Sequence, residues 1–149
     1  MKNIYISILL VCFLVLPACS NSETVSNDSP DYIKESFEYY KSMHNVINAV
    51  SDGENIDVAY KKYFSNEEEA NDWVTEHEED LDSSDEEQLV VSYIKILSLK
   101  LSTMNIEHFN QTLGGDIADY SDDLDEIQEP IYDLEQIYKK YGFKQKDNE

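Results

Sequence analysis

From Ile33 to Val50 apolar side chains recur in steps of three and four: Ile33, Phe37, Tyr40, His44 and Ile47 form a stripe that Met43 and Val50 widen. That is the period of a helix buried along one broad face. Ser29-Pro30-Asp31 supplies its start, with proline at the first helical position and an acid near the positive end of the helix, and Asp52-Gly53 supplies its stop. A shorter segment, 56–64, places Ile56, Tyr60, Tyr63 and Phe64 at helical spacing. Ser65 followed three residues later by Glu68, and Ser84 followed by Glu87, are capping-box patterns that open two further helices. The first of these carries Ala70, Trp73, Val74 and His77 inward.

The helix opened by Ser84 is the most apolar in the chain. From Leu89 to Met104, Leu89, Val90, Val91, Tyr93, Ile94, Ile96, Leu97, Leu99, Leu101 and Met104 cover most of the helical circumference, broken by Lys95 and Lys100. The run falls short of the roughly 20 residues needed to cross a bilayer, which places it in the middle of a bundle. It continues through Phe109 to Leu113, where Gly114-Gly115 ends it. The last helix, expected from Asp116, has the most regular pattern: Ile117, Tyr120, Leu124, Ile127, Ile131, Leu134, Tyr138 and Tyr141 alternate steps of three and four. Pro130 lies inside this pattern without shifting its phase, so a kink, or two helices meeting end to end, is expected there.

No segment shows sustained alternation with turn chemistry. The expected fold is all-α, a bundle of four or five helices with a central apolar helix near 85–113 and a Pro-kinked C-terminal helix near 116–141. Residues 31–143 form one acidic domain, preceded by a polar tether at 19–30 and followed by a loose tail at 144–149.

The first 18 residues follow a different logic. Lys2, an apolar stretch from Ile4 to Leu16, and Pro17-Ala18 before Cys19 make a charged start, an apolar middle and a small-residue exit, the plan of a signal peptide. Leu16-Pro17-Ala18-Cys19 resembles the lipobox of bacterial lipoproteins, with Leu three places before the cysteine and a small residue just before it. Pro17 departs from the small residue usual at its position. The resemblance spans about the first 20 residues. It implies diacylglyceryl transfer to the Cys19 thiol, cleavage between Ala18 and Cys19, and retention at the extracytoplasmic face of the membrane, where two acyl chains give a stable anchor. An ordinary secretory leader that contains a cysteine, or an uncleaved anchor, are the alternative readings of the same residues.

Charge narrows the choice of partner. Against 32 Asp and Glu stand 11 bases, all Lys, for a net charge of −21. Loss of Lys2 with the leader makes it −22. Such a field repels nucleic acid and anionic headgroups and attracts basic protein faces, cationic peptides and divalent ions. The stretch from Glu67 to Glu87 holds 12 acids and no Lys. Glu67, Glu68, Asp72, Glu76, Glu79 and Asp80 are the candidate interaction surface, set against the plainer reading of a solvated face.

The remaining candidates for chemistry are weak. Counted from Asp80, a calcium loop would need Gly where Asp85 stands and Glu where Val91 stands. Asp119, Asp122, Asp123 and Asp125 also lack the glycine and the closing glutamate. His44, His77 and His108 would make a zinc site only if three helices converged, and His77-Glu78 has no second histidine four residues on. Glu107, set between Ile106 and Phe109 apart from the acid runs, is the one carboxyl with an apolar neighbourhood suited to general-acid work. With Cys12 and Cys19 in the leader and at its end, the domain has no thiol. No catalytic residue, metal or cofactor is expected.

The expectation is a lipid-anchored, non-enzymatic binding module for a basic protein or peptide. Two alternatives stay open. One is an immunity or exclusion lipoprotein against a cationic bacteriocin or phage component. The other is a structural envelope protein that dimerises through its C-terminal helix, although pairing within the chain is favoured for that seam. Tyr39 and Tyr132, off the main seams, are further contact candidates.

Overall fold

Helix α1, Asp31–Ser51, begins where Pro30 ends the preceding chain and stops at Asp52 and Gly53, the glycine at a φ of +90°. The computed structural model describes residues 29–80 and 83–144. The leader, Ala18, Cys19, most of the tether and residues 145–149 therefore lie outside the described residues. Five further helices follow: α2 Ile56–Tyr63, α3 Glu67–Glu78, α4 Asp85–Thr112, α5 Ser121–Glu126 and α6 Gln128–Lys140. Among the described residues there is no strand, and the fold is the all-α bundle with one long apolar helix that the pattern predicts.

Each helix end has a local cause. The Asn55 side chain accepts from the backbone N–H groups of Asp57 and Val58 at the start of α2, and Ser84 accepts from Glu87 N–H at the start of α4. Both satisfy donors that a helix leaves unpaired. The other expected capping box is not formed. Asn66, not Ser65, precedes α3, and it makes no side-chain cap. Three glutamates in the first turn of α3 still suit the positive end of the helix dipole.

α4 lies at the centre, packed by α1, α2, α3 and α6. Val90, Ile94, Leu97, Leu101 and Met104 form its buried stripe and share one core with Ile33, Met43, Val46 and Ile47 of α1. An aromatic cluster closes the far side, with Phe37 5.0 Å from Tyr138 and 4.8 Å from Phe143, ring centre to ring centre.

Three sequence expectations change in detail. At 28 residues, α4 is long and apolar enough by length and composition to cross a membrane, so length does not exclude that role; its packing on four other helices is what places it in the bundle. Nor is it wrapped on all sides, since Leu89, Ile96, Leu99, Ile106, Phe109 and Leu113 are exposed. The C-terminal helix begins at Ser121 rather than Asp116, and Ile117, expected in the seam, is 85% exposed. The break before α6 falls at Ile127, which puts Pro130 in the first turn of α6, where its missing N–H has no intrahelical partner to lose.

Candidate interaction surface

Helix α3 sits on α4 through Ala70, Trp73 and Val74, all buried. The Trp73 indole N–H donates to Glu35 of α1 at 2.9 Å, and the rings of Tyr39 and His77 lie 5.9 and 4.3 Å from it. Tyr39 is thus partly covered, while Tyr132 on α6 stands exposed. With its apolar side fixed, α3 presents its acids outward.

The six candidate acids separate into two groups. Glu68, Asp72, Glu76, Glu79 and Asp80 are exposed. Glu67 is half-buried and turns toward α4, where it accepts from the Ser102 hydroxyl at 2.9 Å, with the Tyr60 hydroxyl 3.2 Å further along the chain of contacts. Burial and the neighbouring Glu67 carboxylate push the Tyr60 phenol up, although the Ser102 contact favours the ionised form. Tyr60 stays neutral, so Glu67 is a structural acceptor joining α2, α3 and α4.

Lysines do little to balance the acids because most already have partners. Of the nine described Lys, seven pair with nearby carboxylates, among them Lys95 with Glu78 at 2.7 Å and Lys100 with Asp123 at 2.8 Å and with Glu126. The exposed pairs among these contribute about 0–1 kcal/mol each, while Lys100 and Asp123 are half-buried. Their main effect is on the field: the cations are spent locally, and the unmatched acids on α3 and α5 set the surface potential. Asp119 is held below the usual carboxylate range by the Ser121 backbone N–H, which it accepts at 3.1 Å.

One carboxylate stands out that the sequence does not single out. Glu86 accepts from the Tyr141 hydroxyl at 2.5 Å, from Lys140 at 2.6 Å and from the Tyr32 hydroxyl at 3.2 Å. It ties the start of α1, the start of α4 and the end of α6 together. Burial works to raise its pKa, but Lys140 and the two phenols outweigh that and hold it below its ordinary value. Its partners are more than 50 positions away, so no local pattern marks it.

The histidines do not converge. His44 lies against the Tyr40 ring and Asn48, His77 against Trp73, and His108 next to Asn55. Among the described residues no group of three or more metal-ligating side chains is close enough to hold an ion. A cleft of about 450 Å³ lies between α2 and the C-terminal half of α4, lined by Asp57, Lys61, Ile106, His108 and Phe109 among others. Comparison with protein families, with characterised proteins and with solved structures gives no match.

Proposed function

We propose that this protein is a lipoprotein anchored through Cys19 at the extracytoplasmic face of a membrane, where its domain binds a basic protein or peptide and catalyses no reaction. The observation that carries the reading is the charge imbalance at the surface: α3 and the two residues after it expose Glu68, Asp72, Glu76, Glu79 and Asp80, while seven of the nine described lysines already pair with carboxylates, one of them with Glu78 of α3. A field of this sign raises the local concentration of cationic partners and speeds their encounter. The resemblance of Leu16 to Cys19 to a lipobox supports the location.

Two measurements test the two halves. Cells fed labelled palmitate should label the protein, and Cys19→Ser should abolish the label; an unlabelled protein refutes the anchor. Capture from intact cells should recover a basic partner at ~0.01 M salt and lose it near 1 M, as the screening length falls from about 30 to about 3 Å. Capture that is indifferent to salt, or to neutralising the five exposed acids as Gln and Asn, refutes the binding reading.

A further inference from the structure

The outer face of α4 is apolar along most of its length. Leu89, Ile96, Leu99, Ile106 and Leu113 fall on one side of the helix and are 41, 38, 63, 61 and 72% exposed, with Phe109 beside them at 61%. They lie opposite the buried stripe of Val90, Ile94, Leu97, Leu101 and Met104. From Ile96 to Leu113 the stripe runs roughly 25 Å at 1.5 Å per residue. Together these side chains expose apolar area on the order of 600 Å², the size of the largest apolar patch on a typical monomer, which often has a function.

Acids bank this strip on both sides around Ile96 and Leu99, whereas beside Ile106 and Phe109 Asp57 and Lys61 of α2 share a cleft with it. On one edge Lys95 reaches Glu78 of α3, and on the other Lys100 reaches Asp123 of α5, so those contacts mark where the neighbouring helices begin. Glu67, Asn71 and Glu78 of α3 hydrogen-bond to α4, and His77 lies 3.9 Å from the Glu87 carboxylate. The next positions round α3 on that side, by helical geometry, are Thr75, Glu68 and Asp72, with Glu79 just past its end, and all four are exposed. Across the strip, α5 exposes Asp122, Asp125 and Glu126. Within α4 itself, Glu107 is the one acid after Glu87.

We propose that this strip is the seat of the basic partner, and that the partner docks as a cationic amphipathic helix, its apolar face on Leu99, Ile106 and Leu113 and its lysines or arginines against the acids of α3 and α5. The proposal rests on the reading that the partner is basic. Charge selects the occupant. A second copy would match apolar strip to apolar strip but set its acid banks against these, and an anionic bilayer meets the same repulsion. A helix with cations on both flanks satisfies floor and banks together.

The test uses the mature protein with Cys19→Ser and two peptides of about 18 residues, long enough to cover the strip. One is a Leu/Lys peptide with all leucines on one helical face; the other has the same composition with leucines scattered round the helix. By fluorescence anisotropy the amphipathic peptide should bind about tenfold or more tighter than its isomer. Leu99→Ser with Ile106→Ser should erase that preference while leaving isomer binding unchanged, and Tyr132→Ser, equally exposed on α6, should change neither. Circular dichroism should be unaltered, since all three positions are exposed. Equal binding of both peptides overturns the docking site and leaves the electrostatic reading standing, whereas binding of neither at low salt brings down that reading too. A stable dimer in sedimentation, or flotation with phosphatidylcholine vesicles, abolished in either case by Ile106→Asp, assigns the strip to a second copy or to lipid and overturns the proposal.

Discussion

On the inner face of α4, Val90, Ile94, Leu97, Leu101 and Met104 are fully buried, whereas on the outer face Leu99, Ile106 and Leu113 keep most of their surface open. The two stripes are made of similar aliphatic residues and overlap along the helix, so apolarity alone does not explain their different fates. What divides them is polar company. The flanks of the inner stripe carry groups that reach neighbouring helices: Ser98 to Asn71 and Ser102 to Glu67 of α3, and Tyr93 to Asp133 of α6. The outer stripe is interspersed with Ser92, Thr103 and Asn110, which make no such bridges, and only the long lysines at its edges, Lys95 and Lys100, reach sideways to Glu78 of α3 and Asp123 of α5. A helix is therefore turned by its polar contacts as well as by its apolar ones.

The sharpest way to break this comparison is to make one substitution on both faces. Leu97→Ala should lower stability by about 2–5 kcal/mol through lost burial and a residual cavity. Leu99→Ala, two residues on and facing out, should stay within about 0.5 kcal/mol. Urea unfolding would read both as shifts in midpoint at constant slope. A large loss at Leu99 would mean that the outer strip is covered within the chain.

A smaller effect comes from the polar side of the division. Glu86→Gln keeps the shape of the latch between α1, α4 and α6 but removes its charge, and should cost roughly 1–2 kcal/mol at neutral pH, since hydrogen bonds to a charged group exceed those to a neutral one. The sign with pH follows from the lowered pKa of Glu86. Its contribution is fully present above the unfolded value of about 4.3 and is lost as the pH falls through the lower folded value. The wild type should therefore lose stability relative to Glu86→Gln below about pH 4.3, and the two acid-unfolding curves should converge. Curves that stay parallel to low pH would remove Glu86 as the source.

Much of the bundle is legible because its signals are local. Pro30 and Gly53 bracket α1, Ser84 caps α4, and the three-and-four stripe of Ile127, Ile131, Leu134 and Tyr138 is buried as its spacing demands. The misplaced boundaries arise where distant packing competes with a local motif. Phe64, buried just after α2, fixes the turn that follows it, so α3 starts after Asn66 and the Ser65 and Glu68 pattern goes unused. Asp119 accepting from Ser121 N–H restarts the chain as helix at Ser121, so Ile117 never reaches the seam. The acids of the candidate surface are readable as charge, but not which of them is engaged, because Ser102 lies 35 positions from Glu67. The outer strip of α4 is present in the sequence as a second, sparser helical pattern with steps of seven and three. Superposed on the first, it reads as a helix wrapped on all sides.

The smallest effect concerns where the outer strip stops. Ile117 lies four residues after Leu113, so an α4 prolonged by one turn would add it to the strip. The chain turns away instead: Gly114 adopts a φ of +94°, its N–H donates to Gln111 C=O at 3.0 Å, and Gly115 N–H donates to Asn110 C=O at 3.1 Å. At Gly115 a side chain has no room, because a Cβ would lie 2.9 Å from the Asn110 backbone oxygen. Gly114→Ala forces a side chain into a left-handed conformation, and each substitution should cost about 1 kcal/mol. Thermal unfolding would measure the loss, while the far-ultraviolet helix signal distinguishes two causes. An unchanged signal means that the turn persists under strain. A gain of helix together with tighter binding of the amphipathic peptide would mean that the glycine pair is what limits the length of the strip, and that α4 ends where backbone freedom, not apolar pattern, allows it to end.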